Sequence, residues 1–211
     1  MSRFHLPSVR VSPLVLALSL VLTSPGAWSQ PGPGGKADYY PLPVGSRWDF
    51  RVKVGDDVQG SISEVVAAAE TINDVPLVRL EAQVKGKVVA TEHLRATPQG
   101  VYRYRAQGVE AKPPFLVLRY PVKPGDSWEA ETQVGKQKLK AKVKTRFEEV
   151  VVPVGKFKAF ATEIDMQIDG QPLKTTVWFV QGVGKVKQTL DIGGQQLVLE
   201  LEKFTLGKTQ D

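Results

Sequence analysis

From residue 47 onward the chain alternates apolar and polar side chains with a period of two. Trp48, Phe50, Val52 and Val54 alternate with Asp49, Arg51 and Lys53, as a strand with one buried face requires. Val78, Leu80, Ala82 and Val84 repeat the pattern against Arg79, Glu81, Gln83 and Lys85, and Lys85-Gly86-Lys87 turns the chain back through Val88 to Leu94. Tyr102 and Tyr104 alternate with Arg103 and Arg105, and Leu139, Ala141 and Val143 with Lys138 to Lys144. Phe160 to Ile168 runs into Asp169-Gly170, a hairpin turn signal because both residues tolerate φ > 0. Thr176, Trp178 and Val180 follow, then Val186 to Ile192, and Leu197, Leu199 and Leu201 close the pattern. Glu64 to Thr71 carries three alanines but ends in Asn73-Asp74, so it reads as a strand entering a hairpin. The expectation is an all-β antiparallel meander of about ten strands, forming a curved sheet or partly open barrel.

The pattern echoes itself. Pro41-Leu42-Pro43-Val44-Gly45-Ser46-Arg47-Trp48 and Pro121-Val122-Lys123-Pro124-Gly125-Asp126-Ser127-Trp128 share a turn that delivers a tryptophan onto a strand, 80 residues apart. Gln99-Gly100-Val101 recurs as Gln181-Gly182-Val183. Two pseudo-repeated halves of a single domain over residues 39–208 account for both echoes.

The N-terminus reads differently. Arg3 and Arg10 precede a short apolar run, Leu14 to Leu22, and Ala27-Trp28-Ser29 follows a helix-breaking Pro25-Gly26. A basic start, an apolar middle and a small-x-small exit predict a signal peptide over residues 1–29, cleaved before Gln30. The apolar run is short for a membrane span of about 20 residues. Residues 30–38 hold two prolines and three glycines and read as a linker. Removing residues 1–29 takes away Arg3 and Arg10 and lowers the formal charge from +6 to +4, a mildly basic balance that names no nucleic-acid partner. With no cysteine in the chain, hydrophobic burial alone must hold the exported fold.

Three segments carry a resemblance. Tyr40-Pro41-Leu42-Pro43-Val44-Gly45-Ser46-Arg47-Trp48-Asp49-Phe50, Val152-Pro153-Val154-Gly155-Lys156-Phe157 and Trp178-Phe179-Val180-Gln181-Gly182-Val183-Gly184-Lys185-Val186-Lys187 resemble an uncharacterised family of bacterial secreted β-domains. That family is broadly similar to lipoprotein-carrier half-barrels. The resemblance implies a curved antiparallel sheet and a periplasmic or extracellular location, and brings no catalytic residues.

A search for chemistry finds little. His93 is the only histidine after residue 29 and sits in an alternating strand without a second ligand nearby. No nucleophile elbow, phosphate loop or dinucleotide fingerprint is present. Glu148 and Glu149 point to opposite faces of a strand, and Glu163 and Asp165 share a face expected to be wet. Glycosidase-type paired acids would need burial in a cleft. No catalytic, cofactor-binding or metal-binding residues are therefore assigned. The most biased segment is a basic stripe, Lys138, Lys140, Lys142, Lys144 and Arg146, on one face of a strand. It suits either an anion-facing surface, for a lipid headgroup or acidic envelope polymer, or a solvated face that guards the sheet. The aromatics Trp48, Phe50, Tyr102, Tyr104, Phe115, Trp128, Phe157, Phe160 and Trp178 are expected on the inner face. The sequence thus supports an exported, non-enzymatic binding or structural module of the envelope that is not an integral membrane protein after cleavage. A lipid carrier with an apolar cavity is the alternative.

Overall fold

A computed structural model describes residues 38–192 and 194–208. The expected signal peptide and residues 30–37 of the linker lie outside the described residues. Twelve strands follow one another: β1 Arg47–Val54, β2 Asp57–Ile72, β3 Val75–Val84, β4 Lys87–Thr97, β5 Gly100–Ala106, β6 Val109–Arg119, β7 Ser127–Val134, β8 Gln137–Val152, β9 Gly155–Ile168, β10 Gln171–Val180, β11 Gly184–Ile192 and β12 Gln195–Thr205. Each pairs antiparallel with its chain neighbours, and β12 returns to β1, so the meander closes into a barrel. The all-β antiparallel meander is the one expected, and of the expected curved sheet or partly open barrel it takes the barrel form, fully closed, which leaves no exposed edge. The two strands beyond the expected ten are β6 and β7. In β6 Pro113-Pro114 interrupts the alternation, and in β7, whose start the Trp128 turn predicts, the following inward positions include Ala130 and Thr132, too weakly apolar to show an alternating run.

Type I′-like turns join several hairpins, with positive φ at both central residues: Asn73-Asp74, Lys85-Gly86, Gln107-Gly108 and Asp169-Gly170. These turns match the right-handed twist of the strands they link.

The ring is not equally sewn all round. β1 and β12 share eight residue pairs, from Arg47 with Thr205 to Val54 with Leu197. β6 and β7 share two, Ala111 with Val134 and Lys112 with Gln133. Pro113 and Pro114 lack the N–H groups that a ladder needs, and the strands part after them. The Thr132 hydroxyl donates to the Pro113 carbonyl at 2.6 Å, and the Arg119 guanidinium lies 4.7 Å from the Trp128 ring centre, which fills the parting seam.

The internal echo is real in three dimensions. Gly45 and Gly125 both have left-handed backbones, with φ of 89° and 81°. Gly45 N donates to Val66 O and Gly125 N to Thr145 O, each at 2.8 Å. Val66 N returns to Ser46 O, and Thr145 N to Asp126 O. Each turn drops its tryptophan at the second position of β1 or β7, strands on opposite sides of the ring, and Trp48 and Trp128 are both buried.

Inside, Trp48, Phe50, Phe160, Phe179, Leu94, Leu118 and Leu201 fill the barrel. Two inner-face assignments are inverted. Tyr102 and Tyr104 are half-exposed on the outside while Arg103 points in. Trp178 is also half-buried on the outer wall while Val177 and Phe179 point in. Its indole donates to Glu148 at 2.6 Å, and the Lys187 ammonium lies 5.7 Å from the Trp178 ring centre. In both strands the amphipathic ring covers the wall, and the inward positions go to residues that the aromatic signal masks.

Candidate functional site

Among the described residues, four charged side chains lie in the barrel interior: Glu64 from β2, Glu92 from β4, Arg103 from β5 and Lys185 from β11. Strand alternation places the first three. Glu64 stands between the inward Ile62 and Val66, Glu92 between Ala90 and Leu94, and Arg103 follows Val101 by two. Lys185 is placed by a bulge. Trp178 faces Lys187 and the next residue, Phe179, faces Lys185, so Val186 is the extra residue. Gln188 and Leu190 already point in, and an unbroken strand would turn Lys185 outward. The bulge reverses its phase.

The Lys185 ammonium donates to Glu64 Oε1 at 2.6 Å and to Gln188 Oε1 at 2.9 Å. It also lies 4.8 Å from the centre of the Phe50 ring. The Gln188 amide donates to the Thr175 hydroxyl at 3.3 Å, which donates to Thr189 O at 2.7 Å. Arg103 Nε lies 3.1 Å from Glu92 Oε1, close enough for strong attraction but not aligned as a hydrogen bond, and Arg103 Nη2 has no hydrogen-bond partner among the described residues. Burial pushes the Glu64 carboxyl up to about 7 against the pull of Lys185. It pushes Glu92 up to about 8, with Arg103 opposing and the charge of Glu64 adding to the rise. Burial also lowers the Lys185 ammonium, with Glu64 opposing. Sequence reasoning did not single out any of these four.

The centre is packed. A void of about 10 Å³ remains beside Arg103, Thr175 and Gln188, about the size that a single water needs. Larger spaces lie at the two ends. At the end formed by the β1–β2, β3–β4 and β11–β12 hairpins, a cavity of about 390 Å³ opens between aliphatic side chains, including Val52, Ile62, Leu190 and Leu199, with Gln188 at its floor. At the opposite end, about 860 Å³ opens beside Tyr39, Tyr120, Val122 and Phe147. There Tyr40 is fully buried, 5.5 Å from Phe179 between ring centres, and plugs the barrel.

The basic stripe lies on the outer wall of β8, with Lys138, Lys140, Lys142 and Lys144 exposed and Leu139, Ala141 and Val143 buried behind them. Acidic side chains of the flanking strands, and Glu148 of β8 itself, meet it. Lys140 pairs with Glu131 and Lys142 with Glu129, at 2.7 and 3.2 Å, and Arg146 pairs with Glu148 and Glu163. The arrangement is a cross-strand charge ladder. His93 faces Glu70 at 2.9 Å, and Arg79 also bonds Glu70. Among the described residues, no group of three or more His, Cys, Asp or Glu side chains is placed to hold a metal ion.

No family model matches the chain, and no curated protein matches it. Two solved structures share its fold. One is described as a "putative lipoprotein" from Parabacteroides distasonis, with 12% identity and a TM-score of 0.52. The other is described as a "putative exported protein with YmcC-like fold" from Bacteroides fragilis, with 14% identity and a TM-score of 0.52. Each comparison covers 81% of this chain and all of the other.

Proposed function

We propose that this chain is an exported protein of the bacterial envelope, a rigid β-barrel that binds rather than catalyses. The observation that carries the reading is the state of the barrel centre. Large side chains fill it, and its ionisable groups face one another, Glu64 toward Lys185 and Glu92 toward Arg103, buried away from solvent. Space for another molecule exists at the two ends. The signal-like N-terminus and the words used for the two proteins of like fold support an envelope location. The outer wall argues for a barrel standing in water. A membrane-spanning barrel needs an apolar outward band about 25 Å tall, whereas outward positions of β7 to β10 carry Glu129, Glu131, Lys140, Lys142, Asp165 and Lys174.

Fractionation of the native host and N-terminal sequencing test the location: the protein is expected outside the cytoplasm, beginning at or within a few residues of Gln30. An intact Met1 on membrane-bound protein would overturn it. Native mass spectrometry of protein purified from that host tests binding, with a co-purifying small molecule as the expected outcome.

A second reading, a carrier of lipid, is favoured by one observation, the aliphatic lining of the hairpin-end cavity.

A further inference from the structure

The hairpin end of the barrel is chemically lopsided. Val52 from β1, Ile62 from β2, Leu190 from β11 and Leu197 and Leu199 from β12 make one continuous aliphatic wall. Its volume, about 390 Å³, falls within the ~300–1,000 Å³ of small-molecule sites. Polar groups gather on the β2–β3 side, where Gln59, Ser61 and Lys85 line the opening. Lys85 is the sole charged residue among the described residues that line the cavity. Of the eight exposed large hydrophobic side chains among the described residues, five belong to strand ends on this side: Val58, Val84, Val88, Val89 and Val109. Of these, Val84 lines the mouth itself.

We infer that this mouth binds one aliphatic chain bearing a single anionic head, the chemistry of a fatty acid or the acyl end of a larger anionic amphiphile. The chain lies along the wall of Ile62, Leu190 and Leu199, and the head stays at the rim beside the Lys85 ammonium, where water still reaches it. The reverse orientation would bury an anion against aliphatic side chains, which is costly without a charged partner. Below the cavity Gln188 is already engaged by Lys185 and Thr175, so the floor suits a methyl terminus better than a head. The inference rests on the binding role proposed above and gives it a site and a ligand class.

The test uses the mature protein, dodecanoate as probe and uncharged dodecanol for comparison, with binding followed by calorimetry. One dodecanoate is expected per protein. Val84→Trp places a large ring at the rim, at a half-open position of β3, and should abolish binding with the thermal midpoint unchanged. Lys85→Asn keeps a residue that tolerates the left-handed backbone there, φ 51°. It should weaken dodecanoate several-fold and leave dodecanol unaffected. Thr97→Trp, at the opposite end, serves as the control and should bind as the parent does. Absence of saturable binding by folded protein overturns the inference. Binding that survives Val84→Trp and is lost in Thr97→Trp overturns this site while leaving the binding role intact, because it moves the ligand to the other end. A co-purifying molecule without an acyl chain would likewise overturn the ligand class alone.

Discussion

Glu64 and Lys185 meet inside the barrel from strands β2 and β11, 121 residues apart in the chain, with no solvent exposure on either side chain. In the ring, β12 and β1 lie between those two strands, so the pair ties the two ends of the chain together across the closing seam. A buried pair of this kind gains little over a well-packed apolar pair, but losing one member strands the other charge. Lys185→Met is therefore expected to cost about 3–5 kcal/mol, and Lys185→Met with Glu64→Leu to recover most of that. Urea unfolding of the two single variants and the double variant measures the coupling. A double variant no more stable than Lys185→Met would show that the pair is not what the loss reports.

The interior carboxyls give stability a pH dependence of definite sign. Glu92 has its pKa raised from 4.5 to about 8 in the fold, chiefly by burial, so the folded state holds that proton more tightly than the unfolded chain. Its contribution is complete below pH 4.5 and is lost as pH rises through about 8. Glu64, raised to about 7, acts in the same direction. Lys185, whose ammonium burial lowers, acts in the opposite direction toward alkaline pH, so the carboxyls are read by comparison: any fall of the urea midpoint between pH 5 and pH 8 should be shallower in Glu92→Gln than in the parent. Equal slopes in parent and variant would contradict the assignment.

Trp48 and Trp128 occupy equivalent places in the two halves, but their seams differ. Truncating a buried tryptophan costs about 3–5 kcal/mol, and Trp48 sits against the eight-pair seam while Trp128 borders the two-pair one. Both Trp48→Ala and Trp128→Ala should unfold well below the parent, Trp48→Ala the further of the two. Chemical denaturation gives the order directly.

The lysine ladder of β8 predicts very little change. Lys140 and Lys142 pair with Glu131 and Glu129 in full contact with water, where ion pairs are weak and salt-screened. Replacing both lysines with Gln should leave the denaturation midpoint where it was, and neither form should bind anionic vesicles at physiological salt. Salt-sensitive vesicle binding abolished by the two substitutions would instead make the stripe a partner surface.

Alternation and turn chemistry made most of the fold legible. Trp48 to Val54, Leu80 to Val84 and Leu197 to Leu201 read as strands because apolar residues recur every second position, and Asp169-Gly170 reads as a turn because its backbone demands it. The repeated turn before Trp48 and Trp128 was visible for the same reason. Closure was not, since no local signal says that β12 will pair with β1. The charged interior was half legible. Glu64 and Glu92 interrupt inward runs in plain view, but a carboxylate on an apolar face reads as an irregularity until its partner is located. Arg103 was hidden by its tyrosine neighbours, which outweigh it on any apolar scale. Lys185 was illegible, because the Val186 bulge shifts the parity on which such reading depends.

The uneven sewing of the ring has a mechanical consequence. A ring under thermal load opens where its stitching is sparsest, and here that place lies opposite the chain ends rather than at them. β6 and β7, joined by two residue pairs, are where the ring is expected to yield, while the eight-pair clasp between β1 and β12 holds. Breathing of the molecule is then expected sideways, through the seam that Arg119 and Trp128 fill. The amides of β6 and β7 that face each other across this seam are expected to exchange with solvent first, and those of the β1–β12 ladder last, as hydrogen exchange reads directly.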